Sequence, residues 1–345
     1  MAVEPSPSSG ALAPVGLAVA RPRRQSTASW PLVDRVGYWL CWTTGIALCA
    51  IALGIVLYML VKGISYLQPS LFVHSPSPSV RQSEAGGFLD PIVGTFILTV
   101  LGIAIAAPAG VAIAAWLSEY ARPRALARAV ESAIEMIAGV PSVVLAIFGL
   151  LVFSQGFLGF LSQRAANGAV YGRSFFGASI VMAVLAMPLI VGATREGLAQ
   201  VPDHMREAAY ALGKTRASCI RHVLLPAIRP NIASGVVLGM GRIIGDTAIV
   251  TIILGVTLRN EAVGSVPILG TLRGTGSTLT SYVYTNSPAG EGNAPQKAYA
   301  AAFVLLMIVL LLNAVVTRLT SGEDRTSGQR RLAKLSKLLW TKWNR

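Results

Sequence analysis

Charge is scarce in this chain: only 13% of its 345 residues are Asp, Glu, Lys or Arg, and 53% are hydrophobic. Ordinary soluble domains carry roughly 25% charged residues, so a water-dissolved fold is excluded. Cysteine is rarer still. The three present, Cys41, Cys49 and Cys219, cannot form a disulfide framework and read as small packing residues. The three histidines, His74, His204 and His222, have no metal-ligand spacing, which argues against a metal site. Aromatic residues make up 7%, and no basic face is interleaved with them, so the net charge of +14 does not point to nucleic acid.

What the chain has instead is long apolar runs. Windows able to cross about 30 Å of hydrocarbon fall at residues 38–61, 93–117, 132–153, 175–193, 231–256 and 298–316. They are too long for barrel strands of roughly ten residues and lack period-two alternation. The expected fold is therefore all-α and polytopic, with six transmembrane helices. Of the 29 lysines and arginines, 21 lie in the N-terminal tail, the second and fourth loops and the C-terminal tail, and 7 in the other loops. This bias predicts that both termini are cytoplasmic.

Three regions are expected: a disordered N-terminal tail over residues 1–35, a transmembrane domain over 36–318, and a basic C-terminal tail over 319–345. In the last tail, Leu332, Leu335, Leu338, Leu339 and Trp343 alternate with Lys334, Lys337 and Lys342. That pattern predicts a helix lying on anionic lipid. The first span is too long for the core of a cleaved secretory signal.

The polar stretch 204–226 carries most of the information. It reads Glu207-Ala208-Ala209, then Gly213, then Val223, Leu225 and Pro226. Pro202, Asp203 and Glu207 suit the start of a helix, Gly213 suits a left-handed joint, and Pro226 with Pro230 should end the second helix and start the fifth span. Ala208 and Ala209 should keep one helix face low for a close backbone approach. Within the same stretch, Ala208-x4-Gly213-Lys214-Thr215 mimics a relaxed phosphate-binding loop. It is rejected, because alanine-rich helix rather than a strand precedes the glycine.

The spacing of Glu207, Ala208, Ala209, Gly213, Leu225 and Pro226 resembles the "EAA" loop of ABC importer permeases, with Val223 in place of the usual isoleucine. Over about residues 87–316 the chain further resembles the phosphate-importer permease of the PstA type. The markers are Gly94-Thr95, Leu98-Thr99, Leu117-Ser118-Glu119-Tyr120, Gly139-Val140-Pro141-Ser142, Pro188-Leu189-Ile190 and the run from Gly241 to Ala248. The resemblance implies a type I permease-like bundle in a bacterial inner membrane. It also implies no cofactor in this chain, ATP bound by a separate PstB-like ATPase pair, a second PstC-like permease, a PstS-like phosphate-binding protein outside, and contact with membrane lipids. Alternatives in the same class are a permease for sulfate, molybdate or phosphonate, or the partner phosphate permease. An ion-coupled carrier or membrane enzyme is the alternative from another class.

Arg242 and Asp246 are the expected pathway charges. Four residues apart on one helix, they should share a face and pair with each other or face a polar cavity, since each costs about 2.5–3.5 kcal/mol at a helix centre in lipid. The planar guanidinium of Arg242 suits an oxyanion. Where the family usually has glutamate, Asp246 keeps the charge and loses reach. Gly239, Gly241 and Gly245 should thin the helix there. Thr247, Pro141 and Ser142 are further pathway candidates, whereas Thr95 and Thr99 are expected to bond between helices. Glu131 and Glu135 should form a solvated or Arg128-paired face. The fifth loop, residues 257–297, is expected outside as a landing surface for a delivery protein.

Overall fold

The computed structural model describes residues 31–76, 86–162, 170–255, 257, 260, 267–288 and 295–318. The helices are α1 (Leu32–Gly63), α2 (Leu89–Glu119), α3 (Arg124–Gly139), α4 (Ser142–Phe153), α5 (Phe175–Gln200), α6 (Asp203–Ala211), α7 (Arg216–Cys219), α8 (Leu225–Ala227), α9 (Arg229–Gly245), α10 (Pro267–Arg273), α11 (Leu279–Asn286) and α12 (Pro295–Arg318). Among the described residues one isolated β-bridge joins Pro76 to Gly86. The fold is all-helical, as the apolar runs require.

The chain divides into two units, residues up to Ile55 and residues from Val56 onward. In the first, Tyr38 packs against Trp39 and Trp42, an aromatic cluster suited to a membrane–water boundary. Helix α1 begins at Leu32, inside the stretch expected to be tail. The rest of that tail and the basic segment 319–345 lie outside the described residues.

In the second unit, α5 is the central helix: 61% of its most apolar window is buried, against 28% for α2 and 17% for α12. Lipid tails are as apolar as leucine, so spans associate through close packing rather than water exclusion. The sequence supplies that closeness at Ile190. A Cβ on Gly110 of α2 would lie 2.9 Å from Ile190 Cγ2, and one on Gly235 of α9 would lie 3.1 Å from Ile190 Cα. The resulting core joins Leu98 and Ala106, Phe175, Met182 and Ile190, and Ile243 with Ile253. A smaller cluster packs Phe88 edge-on to Tyr282, with Leu279, Ala300 and Val304 around them.

Among the described residues four helices are long and apolar enough to span, and the number rises to six if each of two bent pairs counts as one span. The third expected span is such a pair: α3 and α4 meet at 108° around Val140-Pro141. Proline at 141 cannot continue an upstream helix and leaves Val140 extended. Of the two alternatives expected for Glu131 and Glu135, a solvated or an Arg128-paired face, Glu131 on α3 remains partly exposed but pairs with Arg195 of α5, and Glu135 is exposed.

The fifth loop is partly folded. Its described part folds into α10 and α11, and Thr275, Ser277, Thr278, Leu279, Thr280 and Ser281 are buried. Thr278 caps α11 by accepting from Ser281 N–H, Thr95 Oγ1 accepts from Leu279 N–H at 2.9 Å, and Asn260 accepts from Ser277 N–H. This hydroxyl-rich run is packed inward. Thr95 is thus an inter-element hydrogen bonder, as expected, while Thr99 bonds back to Thr95 within α2.

Candidate coupling hook and membrane pathway

The segment after α5 folds into a two-helix hook. Pro202 enters α6 in an extended conformation and Asp203 occupies the first turn, where the helix dipole favours negative charge. Gly213 then takes φ +74°, a conformation that side-chain-bearing residues adopt at a cost. Around it, Gly213 N–H donates to Tyr210 C=O at 2.9 Å and Lys214 N–H to Ala209 C=O at 3.1 Å. These two bonds form a Schellman motif, which satisfies the last carbonyls of α6. They also occupy the amides that a phosphate loop would need free, so the nucleotide-loop mimic at Ala208 to Thr215 is closed by its own backbone.

Thr215 caps the second helix of the hook by accepting from Ser218 N–H. That helix runs as α7, a π-helical turn over Ile220–Leu224 and α8, and it stops at Ala227, one residue past Pro226. Pro230 opens α9 after a 73° bend, as the sequence suggests. The hook has its own small core of Leu198, Val201, Ala209, Cys219, Leu224 and Ile228.

The expected coupling residues divide between the two sides of this hook. Glu207, Ala208 and Gly213 are exposed, while Ala209 is buried and Leu225 and Pro226 are half-buried. Ala209 therefore serves the contact between the two hook helices rather than an outside partner. Beside the exposed set stand Tyr210 and Leu212, the latter 81% exposed. The Tyr210 phenol is raised above its usual pKa, first by desolvation and then by Cys219 and Glu119.

The residue that pattern reading missed is Arg206. It points inward, and its guanidinium donates to Glu119 Oε1 (3.2 Å), Asp203 Oδ1 (3.0 Å), Val201 C=O (2.8 Å) and Leu198 C=O (2.9 Å). One planar fork thus ties α6 to the ends of α2 and α5. Only the position of Glu119, at the end of the second span, carried any signal, and nothing in the chain order pairs it with a residue 87 positions away.

The pathway candidates sit at breaks in the spans. Helix α9 ends at Gly245, and Asp246 turns extended with ψ 121°. Its Oδ1 accepts from Ile249 N–H at 2.9 Å and so caps the next helical turn, which leads into a π-helical stretch over Val250–Leu254. Four-residue spacing brings Arg242 beside Asp246 only along an unbroken helix, and the break removes that register. No ion pair joins the two among the described residues. Arg242 is exposed on α9. A Cβ added to Gly241 or Gly245 would meet nothing within 4 Å, whereas Gly239 packs on Ile190. Asp246 and Thr247 are half-buried. Pro141 is exposed in the α3–α4 bend and Ser142 is half-buried at the start of α4. No hydrogen bond brings Pro141 or Ser142 to Arg242, Asp246 or Thr247 among the described residues. No group of three or more potential metal ligands occurs among the described residues either.

Residues 106–322 match the family model described as "Binding-protein-dependent transport system inner membrane component". The chain belongs to that family. Among curated relatives, the permease is 34% identical over 185 residues to the phosphate transport system permease protein PstC of Pasteurella multocida, covering 50% of this chain and 58% of that one. It is 27% identical over 244 residues to the phosphate transport system permease protein PstA 1 of Mycobacterium tuberculosis, covering 70% and 73%. The permease thus spans little more than half the length of the first of these relatives. In fold it is similar to a chain of a bacterial alginate ABC transporter crystallised with an alginate pentasaccharide-bound periplasmic protein. The TM-score is 0.54 and the identity 16%, with 85% of this chain and 95% of that one covered. The family consists of transporter permease components, and the helical fold agrees with it.

Proposed function

We propose that this chain is a PstA-type permease subunit of an ATP-driven phosphate importer, forming half of the translocation path beside a second, PstC-like permease. The hook from Asp203 to Ala227 lies in the cytoplasm and seats in a separate ATPase pair, which binds and hydrolyses the ATP. Both chain ends are cytoplasmic, and a binding protein delivers phosphate from outside. The permease itself performs no covalent chemistry.

The observation that carries this reading is the hook's exposed tip. Glu207, Ala208, Tyr210 and Leu212 face outward over a joint that is rigidly closed by the Schellman motif and by Arg206. Exposed apolar surface rimmed by charge marks a protein-binding site. Phosphate as cargo is supported by relatives named for phosphate transport under both permease names. Arg242, exposed and placed beside the break in α9, suits an oxyanion in the path.

Inward motion follows from differential binding. ATP closes the motor, the hook moves as one body, and α5 and α9, which continue directly from its two ends, change tilt. Competition for uptake tests the substrate: radiolabelled phosphate entering proteoliposomes should be displaced by unlabelled phosphate and not by equal sulfate or molybdate. Displacement by sulfate or molybdate instead assigns a different oxyanion.

A further inference from the structure

The hook is joined to α5 and α9 by the chain itself, but α2, which packs against both, has no such connection. Its C-terminal end is reached from the hook by two arginines. Arg206 of α6 donates to the Glu119 carboxylate at 3.2 Å, and Arg216 of α7 donates to the Glu119 carbonyl at 3.5 Å. Among the described residues these are the polar links between hook and α2. The side chains of Arg206 and Glu119 are only 18% and 10% exposed, so water screens the pair weakly. Arg206 keeps three further acceptors, Leu198, Val201 and Asp203, without Glu119.

We propose that Glu119 is a positioning residue that transmits hook movement to α2, making the Arg206–Glu119 pair a strut between the docking element and the second span. The inference rests on the importer reading above. A flexible chain connection transmits a pull only along its own strand. A charged, bidirectional contact that also engages the backbone of α2 moves that helix with the hook, and α2 lines the packed core at Leu98 and Ala106. Without it, α5 and α9 shift while α2 lags, and the path fails to switch sides although the motor still cycles.

Proteoliposomes carrying the whole complex, with second permease, ATPase pair and binding protein, test this. ATP hydrolysis and uptake of radiolabelled inorganic phosphate are measured together. For Glu119→Ala the ATPase should co-purify as in wild type and hydrolysis should stay within about twofold, while phosphate moved per ATP falls about tenfold or more. Glu119→Asp should recover much of that ratio. Where Glu119→Ala fails to accumulate, Glu119→Gln, which keeps the size and one accepting oxygen, is read by the same criterion. Equal loss of hydrolysis and uptake, or an unchanged ratio, overturns the proposal. A wild-type complex with no ATP-dependent phosphate uptake overturns the importer reading itself, a different result.

Discussion

Thr280 of α11 donates its hydroxyl hydrogen to the carbonyl of Ile244 over 2.8 Å, next to the point where α9 ends. Asp246 caps the following turn two residues later. Together they allow a spanning segment to break inside a bundle without leaving polar backbone bare, which lipid otherwise forbids. Thr280→Val should leave the Ile244 carbonyl unsatisfied and destabilise the protein by about 1–2 kcal/mol. Thermal unfolding in detergent would register this as a lower midpoint, and an unchanged midpoint would mean that another donor reaches Ile244.

Asp246 offers a sharper discrimination because its cap needs an oxygen and not a charge. Asp246→Asn should keep the midpoint, while Asp246→Ala should lose roughly 1 kcal/mol. If the asparagine variant is as unstable as the alanine variant, the charge has a partner that the cap does not account for.

At Gly213 the backbone sits at φ +74°, and nothing stands within 4 Å of an added Cβ. The cost of Gly213→Ala is therefore conformational, about 1–2 kcal/mol, and Gly213→Asn should cost less. Both variants should fold, yet the alanine variant should hold less ATPase on co-purification. Equal retention by wild type and the alanine variant would show that the joint tolerates a new geometry.

Glycines on α9 divide by face. Gly235→Ala would press on Ile190 backbone at 3.1 Å and should lower the unfolding midpoint, by roughly 1–3 kcal/mol of overpacking. Gly241→Ala faces open space and should leave stability unchanged or raise it by up to about 1 kcal/mol through helix propensity. The same rank order in reverse would contradict the packing described for α5.

Arg242 is exposed on α9, so Arg242→Ala should leave the unfolding midpoint within about 0.5 kcal/mol of wild type. Phosphate uptake should nevertheless fall by about tenfold or more, and Arg242→Lys should restore only part of it, because the planar fork is lost. Uptake that survives both changes at normal protein level removes Arg242 from the path.

Features that depend on neighbouring residues were legible in the sequence. Gly213 as a left-handed joint, Pro230 at the start of a helix and the apolar runs of α2, α5 and α12 each follow from local stereochemistry or length. Features that depend on distant partners were not. Nothing local pairs Arg206 with Glu119, Glu131 with Arg195, or Thr280 with Ile244. The shared helix face expected of Arg242 and Asp246 failed for a related reason: it needs helical periodicity to run through Gly245, where an aspartate that caps the next turn ends the helix. The 108° bend at Val140-Pro141 had a visible cause in the proline, but transmembrane prolines are often accommodated without one. The inward packing of the hydroxyl-rich run from Thr275 to Ser281 was not legible either, because its partners, the Thr95 hydroxyl of α2 and the Ile244 carbonyl of α9, cannot be seen in composition.

Everything proposed for transport depends on the hook gripping a separate ATPase. Co-purification of the tagged permease with its ATPase, comparing wild type with Leu212→Asp at the exposed tip, tests this directly. Stoichiometric retention is predicted for wild type and loss of about tenfold or more for the variant, with the variant's unfolding midpoint unchanged. Equal retention of the ATPase by both proteins would contradict it.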